Sequence, residues 1–172
     1  QAARYRGDTI LLAGSRKLVL QHLKTGCQDL LYEDFSLPRD LIFRCLTVDA
    51  EGGIWLGTHA GLCFYDRGRV RFPPHANPLL NTRINGIAKH GAHLLLATMG
   101  HGLVIKSGER IWQLTEREGL LSDFCNDVLV DEDGDLWVSS NQGLSWIHAR
   151  DGLCETPKIN HYTRSEEHTS EL

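Results

Sequence analysis

The chain has 172 residues, 41% hydrophobic and 23% charged, enough for one substantial domain with its own core. Its formal net charge of −4 gives no electrostatic reason to bind nucleic acid or an anionic membrane surface. No apolar run reaches the roughly 20 residues a membrane-spanning helix needs, and five cysteines without a CxxC pair support neither a metal centre nor a disulfide framework.

The chain opens Gln-Ala-Ala-Arg, with no initiator Met, basic n-region or apolar h-region, so no signal peptide is visible. Its dominant signal is a repeat. Gly61-Leu62, Gly102-Leu103 and Gly143-Leu144 recur every 41 residues. Asp49 and Asp131 stand two periods apart with His90 midway, as do Trp55 and Trp137 with Leu96 midway. A period of this length marks supersecondary units that bury their faces against one another.

In chain order, a degenerate first copy predicts strands at 3–6, 9–13, 18–23 and 29–33. Its first turn is Arg6-Gly7-Asp8, an adhesion-like tripeptide that reads simply as a hairpin turn. The second copy predicts strands at 42–48, 54–57, 62–65 and 69–72, and the third at 84–89, 93–98, 103–106 and 110–115. The fourth predicts 125–130, 136–139, 144–148 and 158–162. Glycine-bearing turns, AEGG at 50–53 and EDGD at 132–135, join runs rich in β-branched and aromatic residues. Only 28–35 and 116–122 could hold short helical turns, and both fit loops better. Four strands per 41 residues is the blade unit of a β-propeller. The expected fold is all-β: about four four-stranded blades at 1–35, 36–77, 78–118 and 119–163, part of a larger ring of seven.

Residues 119–144 (GLLSDFCNDVLVDEDGDLWVSSNQGL) and 37–62 (LPRDLIFRCLTVDAEGGIWLGTHAGL) resemble the two-component regulator propeller repeat. In that repeat Asp-x-x-Gly-x-Leu-Trp-x-Gly-Thr-x-x-Gly-Leu follows a strand. The third copy departs from it, with His90 for the Asp, Leu96 for the Trp and a displaced turn glycine. The first has lost both the Trp and the Gly-Leu. The resemblance covers about residues 6–150. It implies the periplasmic or extracellular part of a bacterial inner-membrane sensor whose output is a histidine kinase or diguanylate cyclase. It further implies detection of a small-molecule or glycan cue, no cofactor, no catalysis by this segment, and a possible homodimer of the full sensor. Its partners would be the remaining blades and the downstream domains of the same protein. An extracellular polymer lyase or hydrolase, or a structural interaction propeller, are the alternatives. Residues 164–172 (RSEEHTSEL) resemble a translated sequencing adapter and are expected to form a non-native tail.

No nucleophile or phosphate-binding motif appears. Candidate ligand residues come instead from repeat positions. Arg44, Asn85 and Asn126 share one position early in the first strand of successive copies, where they could bind sugar hydroxyls or tie neighbouring strands. His59 and His101 fall between second and third strands, and Arg83, Asn141 and Gln142 fall in or beside loops of the same class. Trp55, Trp112, Trp137 and Trp146 could stack on a sugar, but Trp55 and Trp137 occupy a core position of the repeat. His90-x-x-His93 has a chelating spacing with no third ligand in view, so structural or solvent-exposed histidines are expected there. Cys45 and Cys125 are the cysteines whose strand positions make them the pair to test.

Overall fold

The computed structural model describes residues 2–6, 8–14, 17–33, 41–49, 52–66, 68–71, 77–150 and 152–163, with side chains from residue 8 onward. The adapter-like tail at 164–172, Gly7 of the first turn, residues 50–51 of the AEGG turn, and 72–76 lie outside the described residues. Within the rest, sixteen strands form four sheets, each of four consecutive strands hydrogen-bonded in chain order. This is the all-β blade architecture the repeat predicts. The first sheet holds β1 (Ala2–Arg6), β2 (Thr9–Ala13), β3 (Lys17–His22) and β4 (Gln28–Glu33). The second holds β5 (Phe43–Val48), β6 (Ile54–Thr58), β7 (Gly61–Asp66) and β8 (Arg69–Arg71). The third holds β9 (Ile84–His90), β10 (His93–Thr98), β11 (Leu103–Ser107) and β12 (Arg110–Leu114). The fourth holds β13 (Cys125–Val130), β14 (Leu136–Ser140), β15 (Gly143–Ile147) and β16 (Ile159–Tyr162). No helix among the described residues is long and apolar enough to cross a membrane.

Two short 3-10 turns depart from the expected loops. One, at Pro78–Asn81, starts where the Asn77 side chain accepts from the Leu79 N–H. The other, at Glu116–Glu118, is closed by a reciprocal cap. The Thr115 hydroxyl accepts from the Arg117 N–H, while the Glu118 carboxylate accepts from the Thr115 N–H at 2.8 Å. That cap, the Thr115 hydroxyl first, holds the Glu118 carboxyl below its usual pKa.

The chain divides into two compact units, 1–87 and 88–172, with the boundary inside β9. The first unit is built on Leu11, Leu18, Phe43, Ile54, Leu56 and Cys63, all nearly inaccessible. In the second, Leu95, Ala97, Leu103 and Ile105 of the third sheet pack with Leu136, Val138 and Ile147 of the fourth. Burying each such aliphatic side chain contributes about 1.5–3 kcal/mol. None of the five cysteines is in a disulfide, Cys45 and Cys125 included. Burial pushes the Cys63 and Cys125 thiols up to about 12.

The pairing revises one equivalence of the repeat. Trp55 pairs with Phe64, and Trp137 with Trp146. In the third sheet the residue in that register is Leu95, paired with Ile105, and not Leu96. Counted to that register, blade three is one residue shorter across its first turn, five steps from His90 to Leu95 against six from Asp49 to Trp55 and from Asp131 to Trp137. It has one more in its second turn, between Thr98 and Gly102. The two changes cancel, so the 41-residue spacing of Gly-Leu survives while the strand between slides by one. The second turn is closed alike in three sheets, by a hydroxyl donating to the carbonyl of the repeat glycine. Thr58 reaches Gly61 at 2.8 Å, Thr98 reaches Gly102 at 2.8 Å, and Ser140 reaches Gly143 at 3.2 Å.

Candidate functional site

In the first unit, the pairing of β5 with β6 slips between Phe43 and Cys45, so Arg44 is the extra residue of a β-bulge. In the second unit, β13 slips against β14 between Cys125 and Asp127, placing Asn126 on the corresponding bulge. A bulge bends its strand and re-aims the side chain it carries, and bulges collect near functional sites. Two of the three residues singled out by spacing therefore sit where the ladder is interrupted at the same repeat position. Arg44 Nε is buried with no hydrogen-bond partner. Asn85, the third, is held by Arg83, whose Nε donates to its side-chain oxygen at 3.1 Å. His59 lies exposed in the β6–β7 turn.

The second unit brings more of the candidates together. Asn126 Nδ2 donates to Asn141 Oδ1 at 3.1 Å, and both side chains are exposed. Gln142, also exposed, donates its backbone N–H to Ser140 Oγ. The turn bearing His101 is fastened to the following connection, because Gly100 and Gly102 both donate to the Asp123 carbonyl, at 3.0 and 2.9 Å. Met99 and Phe124 form a bridge at the same point. Phe124 is the residue that spacing missed. It stands two positions before Asn126 and is 53% exposed. Its counterpart two periods earlier, Ile42, is 47% exposed, and that pairing is the signal that could have found it. Near the start of β13 the chain thus presents an exposed aromatic ring and a hydrogen-bonded pair of neutral amides.

The acidic residues of the hairpin turns serve the turns, as their spacing suggests. Asp49 accepts from the Gly53 N–H at 2.7 Å. Asp131 accepts from the N–H groups of Asp133 and Asp135 and from the Trp137 indole at 2.9 Å. The Trp137 bond, first of these, lowers the Asp131 pKa. Asp135 is fully buried and accepts from the Ala149 and Arg150 N–H groups, the Arg150 guanidinium at 2.9 Å and the Trp146 indole at 3.2 Å. The Arg150 guanidinium, above all, holds the Asp135 carboxyl well below the usual carboxylate range. Every oxygen of this pair is committed to structure, which leaves no free carboxylate there for acid–base work.

The outer face of the fourth sheet carries an open depression of about 340 Å³ lined by Asp127, Val128, Leu129, Trp137, Ser139 and Leu144. Trp137 stacks on Trp146 with the ring planes 3° apart, and Tyr162 extends the stack at 5.7 Å. The same register in the third sheet, Leu95, Ala97, Leu103 and Ile105, is completely buried. The face is thus a packing face of the repeat, and the tryptophan stack belongs to blade packing before sugar binding.

Comparison with known proteins finds one short sequence match and a shared fold. Residues 36–60 match the family model described as two component regulator propeller. The extracellular domain of the hybrid two component system BT3049 from B. thetaiotaomicron superposes with a TM-score of 0.68 at 22% identity, over 95% of this chain and 22% of that one. That of BT4673, from the same organism, gives 0.69 at 20% identity, over 99% of this chain and 23% of that one. Virginiamycin B lyase from Staphylococcus aureus gives 0.64 at 13% identity, over 95% of this chain and 55% of that one. The chain therefore spans about a fifth of the length of the sensor domains it matches, and at these identities the likeness is one of fold. No curated protein matches the sequence.

Proposed function

We propose that this chain, which carries a two-component regulator propeller repeat at residues 36–60, is a blade segment of the extracytoplasmic sensing propeller of a bacterial membrane sensor. The match of that repeat is the observation that carries the reading. The likeness to extracellular domains of two-component systems supports it at the level of fold. The segment binds a cue and does not itself catalyse. The cue is a small neutral molecule or glycan, held by polar and aromatic groups at the starts of the first strands and on nearby turns, each unit offering its own set. In the second unit these are Phe124, Asn126 and Asn141, with His101 and Gln142 on adjoining turns. In the first they are Arg44, Arg83, Asn85 and His59. The remaining blades and an output domain of the same protein are its partners. The lyase likeness shows only that this fold also serves enzymes, since propellers host many functions.

Melting the complete extracytoplasmic region against a panel of soluble oligosaccharides tests this. One chemical class should raise the melting temperature, and Asn126→Ala with Phe124→Ala should remove the shift. Turnover of an oligosaccharide, or a shift untouched by these substitutions, would contradict it.

A further inference from the structure

The bulge that opens the second sheet carries a cation. Arg44 stands between Phe43, paired with Thr58, and Cys45, paired with Gly57. Its fourth-sheet counterpart, Asn126, is neutral and hydrogen-bonded to Asn141. The same end of the second sheet gathers two further basic side chains of the first unit. His59 follows Thr58 directly and lies exposed in the β6–β7 turn. That turn abuts the connection leading to β9, since a Cβ on Gly61 would lie 2.5 Å from the Leu80 carbonyl oxygen and 3.0 Å from the Asn81 Cα. The start of β9 then meets β5, where the Cys45 thiol reaches the Ile84 carbonyl at 3.9 Å. Arg83, exposed and one residue before Ile84, thus comes to this end too, its Nε donating to Asn85 Oδ1 at 3.1 Å.

Arg44 is half-buried, and its Nε is closed to solvent without an acceptor. Among the described residues neither Arg44 nor Arg83 is ion-paired with a carboxylate. A guanidinium N–H withdrawn from water carries its desolvation cost until an acceptor arrives, and an anionic acceptor offsets most of it. The planar fork of arginine matches a carboxylate, which it can hold through two parallel hydrogen bonds. Ile42, two residues before Arg44 and 47% exposed, adds apolar surface against which the C–H groups of a sugar ring can rest. We propose that Arg44 and Arg83, with His59 on the adjoining turn, bind the carboxylate of an acidic sugar, a uronate within a glycan. This site rests on the sensing reading above and assigns the charge of the glycan that the first unit takes.

The intact chain is titrated by calorimetry with trimers of galacturonate, glucuronate and mannuronate, with their uncharged methyl esters, and with inorganic phosphate. At least one free acid should bind saturably and more weakly as NaCl is raised. On the wild-type chain alone, its ester should bind about tenfold more weakly or worse. Arg44→Gln and Arg83→Gln should each lower the affinity about tenfold or more, and Arg44→Lys should lower it as well, because an ammonium lacks the fork. Arg71→Gln, which removes an exposed arginine from the opposite edge strand of the same sheet, should leave the affinity unchanged. So should Asn126→Ala in the second unit. Esters that bind as tightly as the acids, arginine variants that titrate like the wild type, or phosphate that displaces the trimer at equal concentration would overturn the site. The absence of binding by all three acids would overturn it too; neutral oligosaccharides that then bind, and are lost in Asn126→Ala, would leave the sensing reading standing without it.

Discussion

Gly102 is the repeat glycine of the third sheet, with φ at +65°. A Cβ there would lie 2.1 Å from the Leu114 carbonyl oxygen and 3.2 Å from the Thr115 Cα, both backbone atoms. The same peptide is fixed from other sides, since its carbonyl accepts from Thr98 Oγ1 and its N–H donates to Asp123. Neither partner can yield without opening the β11–β12 ladder. Gly102→Ala should therefore carry the left-handed backbone penalty, about 1–2 kcal/mol, and an overpacking penalty of about 1–3 kcal/mol. Gly108→Ala isolates the first contribution, because Gly108 has φ at +56° and open space where its Cβ would stand. Urea unfolding followed by tryptophan emission measures both. The expected result is a loss of about 2–5 kcal/mol for Gly102→Ala against about 1–2 for Gly108→Ala. Equal losses would refute the close backbone approach, and with it the reason the repeat carries glycine before leucine.

Leu95→Ala should cost about 2–5 kcal/mol in the same assay, since Leu95 is fully buried between the third and fourth sheets; Leu129→Ala, on a 62% exposed side chain, should cost far less. A thiol reagent at neutral pH should label Cys27 and Cys154 quickly in the folded chain, and Cys45, Cys63 and Cys125 only after unfolding. Asp135 has a folded pKa depressed by Arg150, so its contribution is present above the ordinary aspartate pKa and is lost as pH falls through the folded value. Melting temperatures of the wild type and Asp135→Asn should therefore differ most near neutral pH and converge in strong acid; a constant gap would contradict the linkage.

The repeat was legible because turns need particular residues. Glycines before Leu62, Leu103 and Leu144 are demanded by positive φ and a nearby carbonyl, and Asp49 and Asp131 by the turn N–H groups they accept from. What escaped was whatever depends on two segments at once. Blade three kept its 41-residue period through opposite changes in two turns, which spacing cannot separate, so Leu96 was read where Leu95 stands. Asp135 read as a turn residue, yet it is buried because Arg150 and the Ala149 N–H arrive from the far end of β15. The candidate site divides the same way. Arg44 and Asn126 were visible as polar residues at one repeat position, and the structure adds that both interrupt a ladder. Phe124 stands one residue before the strand expected at 125–130, and spacing does not give the 53% exposure the structure shows for it.

Sequencing the complete reading frame from source DNA, free of the adapter-like residues 164–172, tests the sensing role most directly. A continuous frame with further 41-residue repeats, a membrane-spanning helix and a kinase or cyclase domain is the predicted result. A frame that encodes only the propeller, or a propeller with converging catalytic residues and no membrane helix, would contradict it.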